Sequence, residues 1–154
     1  MPKLALRTVL ALAVAGVLAG CQPVHQAPMP TPPPAGSSAP EGPLASTLQV
    51  AARGDSVHLS FRVTNAGTAP VALTFPSGQN AEFTVSDGAR ELWRWSGDMM
   101  FTQAVRQVSL APGETRAYEA DWSRPAGARG QLTARAWLTA QQVRAERSAS
   151  FTLP

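Results

Sequence analysis

From Leu44 to the C-terminus, apolar and polar residues alternate at period two, and turn-forming clusters interrupt the alternation every ~8 to 12 residues. The clearest segment places Val57, Leu59, Phe61 and Val63 on one face and His58, Ser60, Arg62 and Thr64 on the other. This is the pattern of a strand with one side in a core and the other in water. Leu132, Ala134, Ala136 and Leu138 alternate with Thr133, Arg135, Trp137 and Thr139 in the same way. Tyr118, Ala120 and Trp122 share a face of a strand from Thr115 to Trp122, and Ala149, Phe151 and Leu153 share a face of a last strand from Arg144 to Leu153. Further strands are expected over Ala45 to Arg53, Val71 to Phe75 and Val105 to Leu110. No segment carries a helical period.

The richest stretch, Leu73 to Gln103, reads as three short strands and one loop. Leu73 and Phe75, Phe83 and Val85, and Trp93 and Trp95 each share a parity. Pro76-Ser77-Gly78 suits a type I turn and Asp87-Gly88 a two-residue hairpin, so tight turns are expected between these strands. Asn65 to Thr68 is a turn into the next strand, Ala111-Pro112-Gly113 suits the middle of a type II turn, and Arg124 to Gly130 is a polar connection. Three of the four tryptophans and four of the five phenylalanines lie between Phe61 and Trp122, which places most of the aromatic core in this half. Short strands at this spacing predict an all-β fold, an antiparallel immunoglobulin-like β-sandwich of about eight strands, here without a cysteine pair bridging the sheets. The 111 residues from Leu44 to Pro154 can bury about two-thirds of their unfolded surface, enough for a monomer that is stable without a partner.

The phrase Phe75-Pro76-Ser77-Gly78-Gln79, a Phe-x-Val strand at Phe83 to Val85, Trp93-Arg94-Trp95-Ser96, and then Met100-Phe101-Thr102-Gln103 resembles the BsuPI-type intracellular proteinase inhibitor domain. The likeness runs from about Val57 to Trp122, extending to Val63-Thr64-Asn65 on one side and Leu110-Ala111-Pro112-Gly113-Glu114 on the other. Several linked motifs in the right order are far more specific than any one alone. The resemblance implies an inhibitor of subtilisin-like serine proteases, without assigning any residue to a reactive site.

The N-terminal part has a different composition. Lys3 and Arg7 form a basic region, Thr8 to Val17 is apolar, and Leu18-Ala19-Gly20-Cys21 matches the lipobox of a bacterial lipoprotein. The apolar run is shorter than the ~20 residues that a membrane span needs. Residues 1–20 are therefore expected to be a lipoprotein signal peptide, removed before a Cys21 whose sulfur carries the diacylglycerol. Residues 21–43 comprise this cysteine and a linker with eight of the fourteen prolines, and residues 44–154 form the β-domain. If extended, the 22 residues from Gln22 to Pro43 reach ~70 Å, a spacer that lifts the domain off a membrane surface. Such a protein belongs to the cell envelope, and with Gln22 after the cysteine it is expected at the outer membrane where two membranes exist. Without Lys3 and Arg7, the thirteen basic residues become 11 arginines against 10 acids, a net charge of +1, with no cluster suited to phosphates. Nucleic acid is not an expected partner.

Catalytic chemistry needs converging titratable groups, and few are on offer. His58 lies on the polar side of its strand with no nucleophile in view, Ser77 is accounted for by its turn, and Asp87 and Asp98 are isolated. Glu82 and Glu91 flank the Asp87-Gly88 turn and could approach across it, but their pattern favours solvated outward positions. No enzyme, cofactor or metal is expected. Trp93 and Trp95 fit a core better than a stacking platform. The loop Gly97 to Gln103 is unusual in carrying Met99, Met100 and Phe101 together, and these three are the candidate protein-binding residues. Met100 and Phe101 are expected to plug the end of the sandwich and Met99 to face a partner. The expected function is a lipid-anchored inhibitor-like domain that binds a serine protease. The rival reading is a non-inhibitory immunoglobulin-like module of the envelope.

Overall fold

The structure, a computed structural model, describes residues 42–154; the expected signal peptide, Cys21 and all but the last two residues of the expected linker lie outside them. Nine antiparallel strands succeed one another along the chain: β1 (Leu44–Arg53), β2 (Ser56–Asn65), β3 (Val71–Phe75), β4 (Ala81–Asp87), β5 (Arg90–Arg94), β6 (Arg106–Leu110), β7 (Thr115–Ser123), β8 (Gly130–Leu138) and β9 (Glu146–Leu153). One 3-10 turn, Trp95–Asp98, interrupts them after β5. The hydrogen-bonded orders are β1-β2-β7, β3-β6 and β5-β4-β8-β9. This is an antiparallel immunoglobulin-like sandwich, as the alternation predicts. No helix among the described residues is long and apolar enough to cross a membrane.

The inward sides of the alternating segments meet. Val57, Leu59, Phe61 and Val63 of β2 are all buried, and register sets Phe61 beside Tyr118 and Leu59 beside Ala120 of β7. Leu132, Ala134, Ala136 and Leu138 of β8 are buried in the other sheet, where Phe83 pairs with Ala136 and Val85 with Ala134. Setting a large side chain beside a small one across strands lets the layer fill without voids. Phe61 and Phe83 then meet edge-to-face between the sheets, with ring centroids 6.4 Å apart and planes at 88°. Trp93 and Trp122 stack at 6.4 Å.

Polar groups within this core are satisfied. Asn65, fully buried at the end of β2, donates from Nδ2 to the carbonyls of Ala69 and Leu110, both at 2.9 Å, and accepts from the Gly67 N–H at 3.0 Å. Its backbone exchanges bonds with Gly113 and Glu114, so one residue ties the β2 end to the β6–β7 turn. That turn is the type II turn expected from Ala111-Pro112-Gly113: Glu114 N–H donates to the Ala111 carbonyl at 3.0 Å, and Gly113 at φ 75 occupies the position that disfavours a side chain.

Three expectations are corrected. β3 and β4 are not a hairpin: β3 pairs with β6, and Pro76 to Asn80 crosses from one sheet to another instead of making a type I turn. The hairpin turn between β4 and β5 is Gly88-Ala89, one residue later than Asp87-Gly88. Trp93 and Trp95 do not share one strand face, because a register shift opposite Val85 and Ser86 bends β5, and Trp95 already lies in the 3-10 turn. Both rings nonetheless pack against the core.

Candidate functional site

The motif segments converge at one end of the sandwich, and Glu82 on β4 is their meeting point. This residue is 5% exposed. Its Oε1 accepts from the Phe83 N–H at 3.0 Å and the Ser96 N–H at 3.2 Å; its Oε2 accepts from Gln79 Nε2 at 3.1 Å and from the Ser96 hydroxyl. Arg94 Nη1 lies 3.6 Å from Oε2. The expectation of a solvated Glu82 is therefore wrong: β5, the 3-10 turn and the Gln79 side chain cover an outward-facing position. Glu91 is exposed as expected and holds Arg94 bidentately at 3.0 and 2.7 Å. That pairing raises the Arg94 pKa above the usual arginine value against the opposing effect of burial, with the charges of Glu91 and Glu82 adding to it. Arg94 and Arg135 also approach the ring of Trp137, at 5.9 and 5.1 Å from its centroid.

Glu82 thereby fixes the 3-10 turn, and the turn launches the loop from Met99 to Val105. The Met99 N–H donates to the Ser96 carbonyl at 3.2 Å, and the Met99 backbone is extended at φ −111, ψ 145. On the far side, the Gly78 N–H donates to the Thr102 carbonyl at 2.8 Å. A Cβ on Gly78 would come within 2.8 Å of Thr102 Oγ1, so a side chain there would have to push the threonine hydroxyl aside. Arg106 holds the crossover from beneath by donating to the Gly78 carbonyl at 3.4 Å and to Asn80 Oδ1. Phe101 packs on Trp95 at 5.6 Å, Trp95 on Phe83 at 6.3 Å, and Phe83 on Phe61. An unbroken series of rings thus joins the loop to the centre of the core.

Between these fixed points the chain exposes its large apolar side chains. Met99 is 47% exposed, Met100 101% and Val105 68%, and these are the exposed large hydrophobics among the described residues. Phe101 turns inward and plugs the space over Trp95. Met100 does not share that role: it projects fully into solvent, because Phe101 already occupies the place. Cys21 lies outside the described residues. His58 sits on the opposite sheet, 2.9 Å from Asp121 across the β2–β7 pair. Among the described residues, no three His, Cys, Asp or Glu side chains gather as metal ligands.

The class defined by this fold and site is a small β-sandwich that holds out an apolar loop on a hydrogen-bonded frame. A model of the BsuPI family, described as intracellular proteinase inhibitor, matches residues 44–143, and the chain belongs to this family. These residues accordingly form a proteinase-inhibitor-like domain. β9 lies beyond the matched residues yet completes the β5-β4-β8-β9 sheet. No curated protein matches the chain. Among solved structures, it is similar to a GH3 β-glucosidase of Bifidobacterium adolescentis, with 20% identity and a TM-score of 0.41, over 71% of this chain and 17% of that one. It is also similar to the sporulation control protein Spo0M of Bacillus subtilis, with 11% identity and a TM-score of 0.43, over 73% of this chain and 49% of that one. A third is the GAE domain of GGA2p from Saccharomyces cerevisiae, with 15% identity and a TM-score of 0.31, over 76% of this chain and 95% of that one. The chain thus spans less than half the length of the first two.

Proposed function

We propose that this protein is a lipid-anchored inhibitor of a subtilisin-like serine protease in a bacterial cell envelope, and that the loop Met99 to Phe101 is its contact surface. The observation that carries the reading is the braced loop. Exposed apolar side chains on a mobile segment would lose conformational entropy on binding, whereas here the backbone is pinned at Ser96 and Thr102 before any partner arrives. The anchor rests on the Leu18-Ala19-Gly20-Cys21 motif and the proline-rich spacer behind it. Family membership supports a protease as the partner.

Two experiments test the parts separately. Purified full-length protein incubated with subtilisin-type and trypsin-type proteases should inhibit the former; inhibition of none would favour a non-inhibitory envelope module. Cys21→Ser should abolish metabolic labelling with fatty acid, since the chain has 1 cysteine. Undiminished labelling of that variant would remove the anchor from the proposal.

A further inference from the structure

Met99, Met100 and Phe101 follow one another in the loop, but they are not equivalent, and the difference assigns a register. We infer that Met100 is the side chain that enters the protease's main specificity pocket, and that the Met100–Phe101 peptide bond is the one presented to the protease's nucleophile. This deepens the inhibitor reading above and rests on it.

A pocket residue must be free to leave water completely. Met100 is fully exposed, while Met99 is about half covered and Phe101 is held against Trp95. Met100 also stands between the two sets of backbone anchors, with Met99 N–H on the Ser96 carbonyl behind it and the Thr102 carbonyl on the Gly78 N–H ahead. Met99, the residue leading into it, is extended, as a protease's substrate groove requires of a bound strand. Methionine is unbranched at Cβ and uncharged, so the matching pocket is deep and apolar. A pocket with a carboxylate at its base would find no cation, and a shallow pocket would exclude the side chain.

The anchoring of Phe101 determines the fate of the bond once it is attacked. The protease serine Oγ would bond to the Met100 carbonyl carbon, the C–N bond to Phe101 would break, and the serine proton would pass through the protease's histidine to the new Phe101 amine. In an ordinary substrate that amine diffuses away and water hydrolyses the ester. Here its ring is held on Trp95, its carbonyl accepts from Gln103 Nε2 at 3.2 Å, and the next residue is held by Gly78. The amine therefore stays beside the ester, takes back the acyl group and returns the proton. Cleavage is reversed and the complex persists.

The test compares full-length wild type with Met100→Lys, Met99→Lys and Phe101→Ala, each verified as folded by its melting temperature. Burying one methionine side chain corresponds to about ten- to a hundredfold in affinity, so Met100→Lys should weaken inhibition of subtilisin by that factor. The same variant should gain inhibition of trypsin, whereas Met99→Lys should gain none. Prolonged incubation with a trace of protease should produce a single nick, located by mass spectrometry between Met100 and Phe101. Phe101→Ala, which frees the new amine, should be consumed as a substrate. A nick at another bond, a specificity change from Met99→Lys in place of Met100→Lys, or Phe101→Ala resisting cleavage as wild type does would overturn the register while leaving the inhibitor reading standing. Wild type that inhibits no protease would overturn both.

Discussion

Glu82 is the side chain on which the frame of the loop depends, and its removal has a calculable cost. Glu82→Ala takes away the acceptor for two backbone N–H groups, those of Phe83 and Ser96, and for the Gln79 amide and Ser96 hydroxyl. The site is 5% exposed, so water does not readily replace the carboxylate. Each buried donor left without a partner costs about 1–3 kcal/mol, but Ser96 Oγ can rotate and Gln79 can swing toward solvent. Counting the two backbone donors fully puts the loss at roughly 2–6 kcal/mol, a large part of the ~5–15 kcal/mol available to a domain of this size. Glu82→Gln keeps one carbonyl oxygen for the two N–H groups and turns an NH2 toward the Gln79 amide, so it should cost about half as much. Urea unfolding followed by tryptophan fluorescence measures both. Inhibition should fall further than stability alone explains, because the Ser96 N–H anchors the turn that launches Met99. A loss below about 1 kcal/mol for Glu82→Ala, or equal losses for the two variants, would refute the assignment of these bonds as the stabilising element.

Asn65→Ala leaves the Leu110 and Ala69 carbonyls and the Gly67 N–H without their partner, and should lower stability by about 2–4 kcal/mol in the same urea assay; a change within about 0.5 kcal/mol is the refuting result. Trp93→Ala removes the ring stacked on Trp122, and should cost about 3 kcal/mol and drop the near-ultraviolet circular dichroism signal, whereas unchanged melting would move this ring out of the core. The Ala111 N–H donating to the Glu114 carboxylate, with help from Arg116 and against partial desolvation, holds the Glu114 pKa below its usual value. Its contribution to stability is therefore present above the unfolded value of about 4.3 and lost as pH falls through the lower folded value. Glu114→Gln should flatten the acid limb of the stability–pH profile, and an unaltered limb would show that this bond is not formed.

Much of this protein is legible without coordinates, because a period-two pattern is local. Val57 to Val63 and Leu132 to Leu138 state which side of each strand is apolar, and the apolar sides have to meet. Ala111-Pro112-Gly113 fixes its own turn through the permitted angles of proline and glycine. The linked phrases from Phe75 to Gln103 were also enough to point to the family that matches residues 44–143.

The features that the tertiary structure decided are non-local in every case. The partner of β3 depends on a strand some thirty residues further along, so Pro76 to Asn80, which looks like a hairpin turn, proves to be a crossover. Glu82 stands at an outward parity and is nevertheless buried, because β5 bends at its bulge and lays Arg94 and Ser96 over it. The pairing of Gln79 with Ser96 around one carboxylate was the available signal, but their separation in the chain hid it. Met100 and Phe101 are adjacent apolar residues with opposite fates, since only one side chain fits over Trp95 and whichever takes that place sends its neighbour into water. Sequence alone determined that large apolar groups stand in this loop; only packing against a tryptophan in the neighbouring turn determined which of them the protein presents.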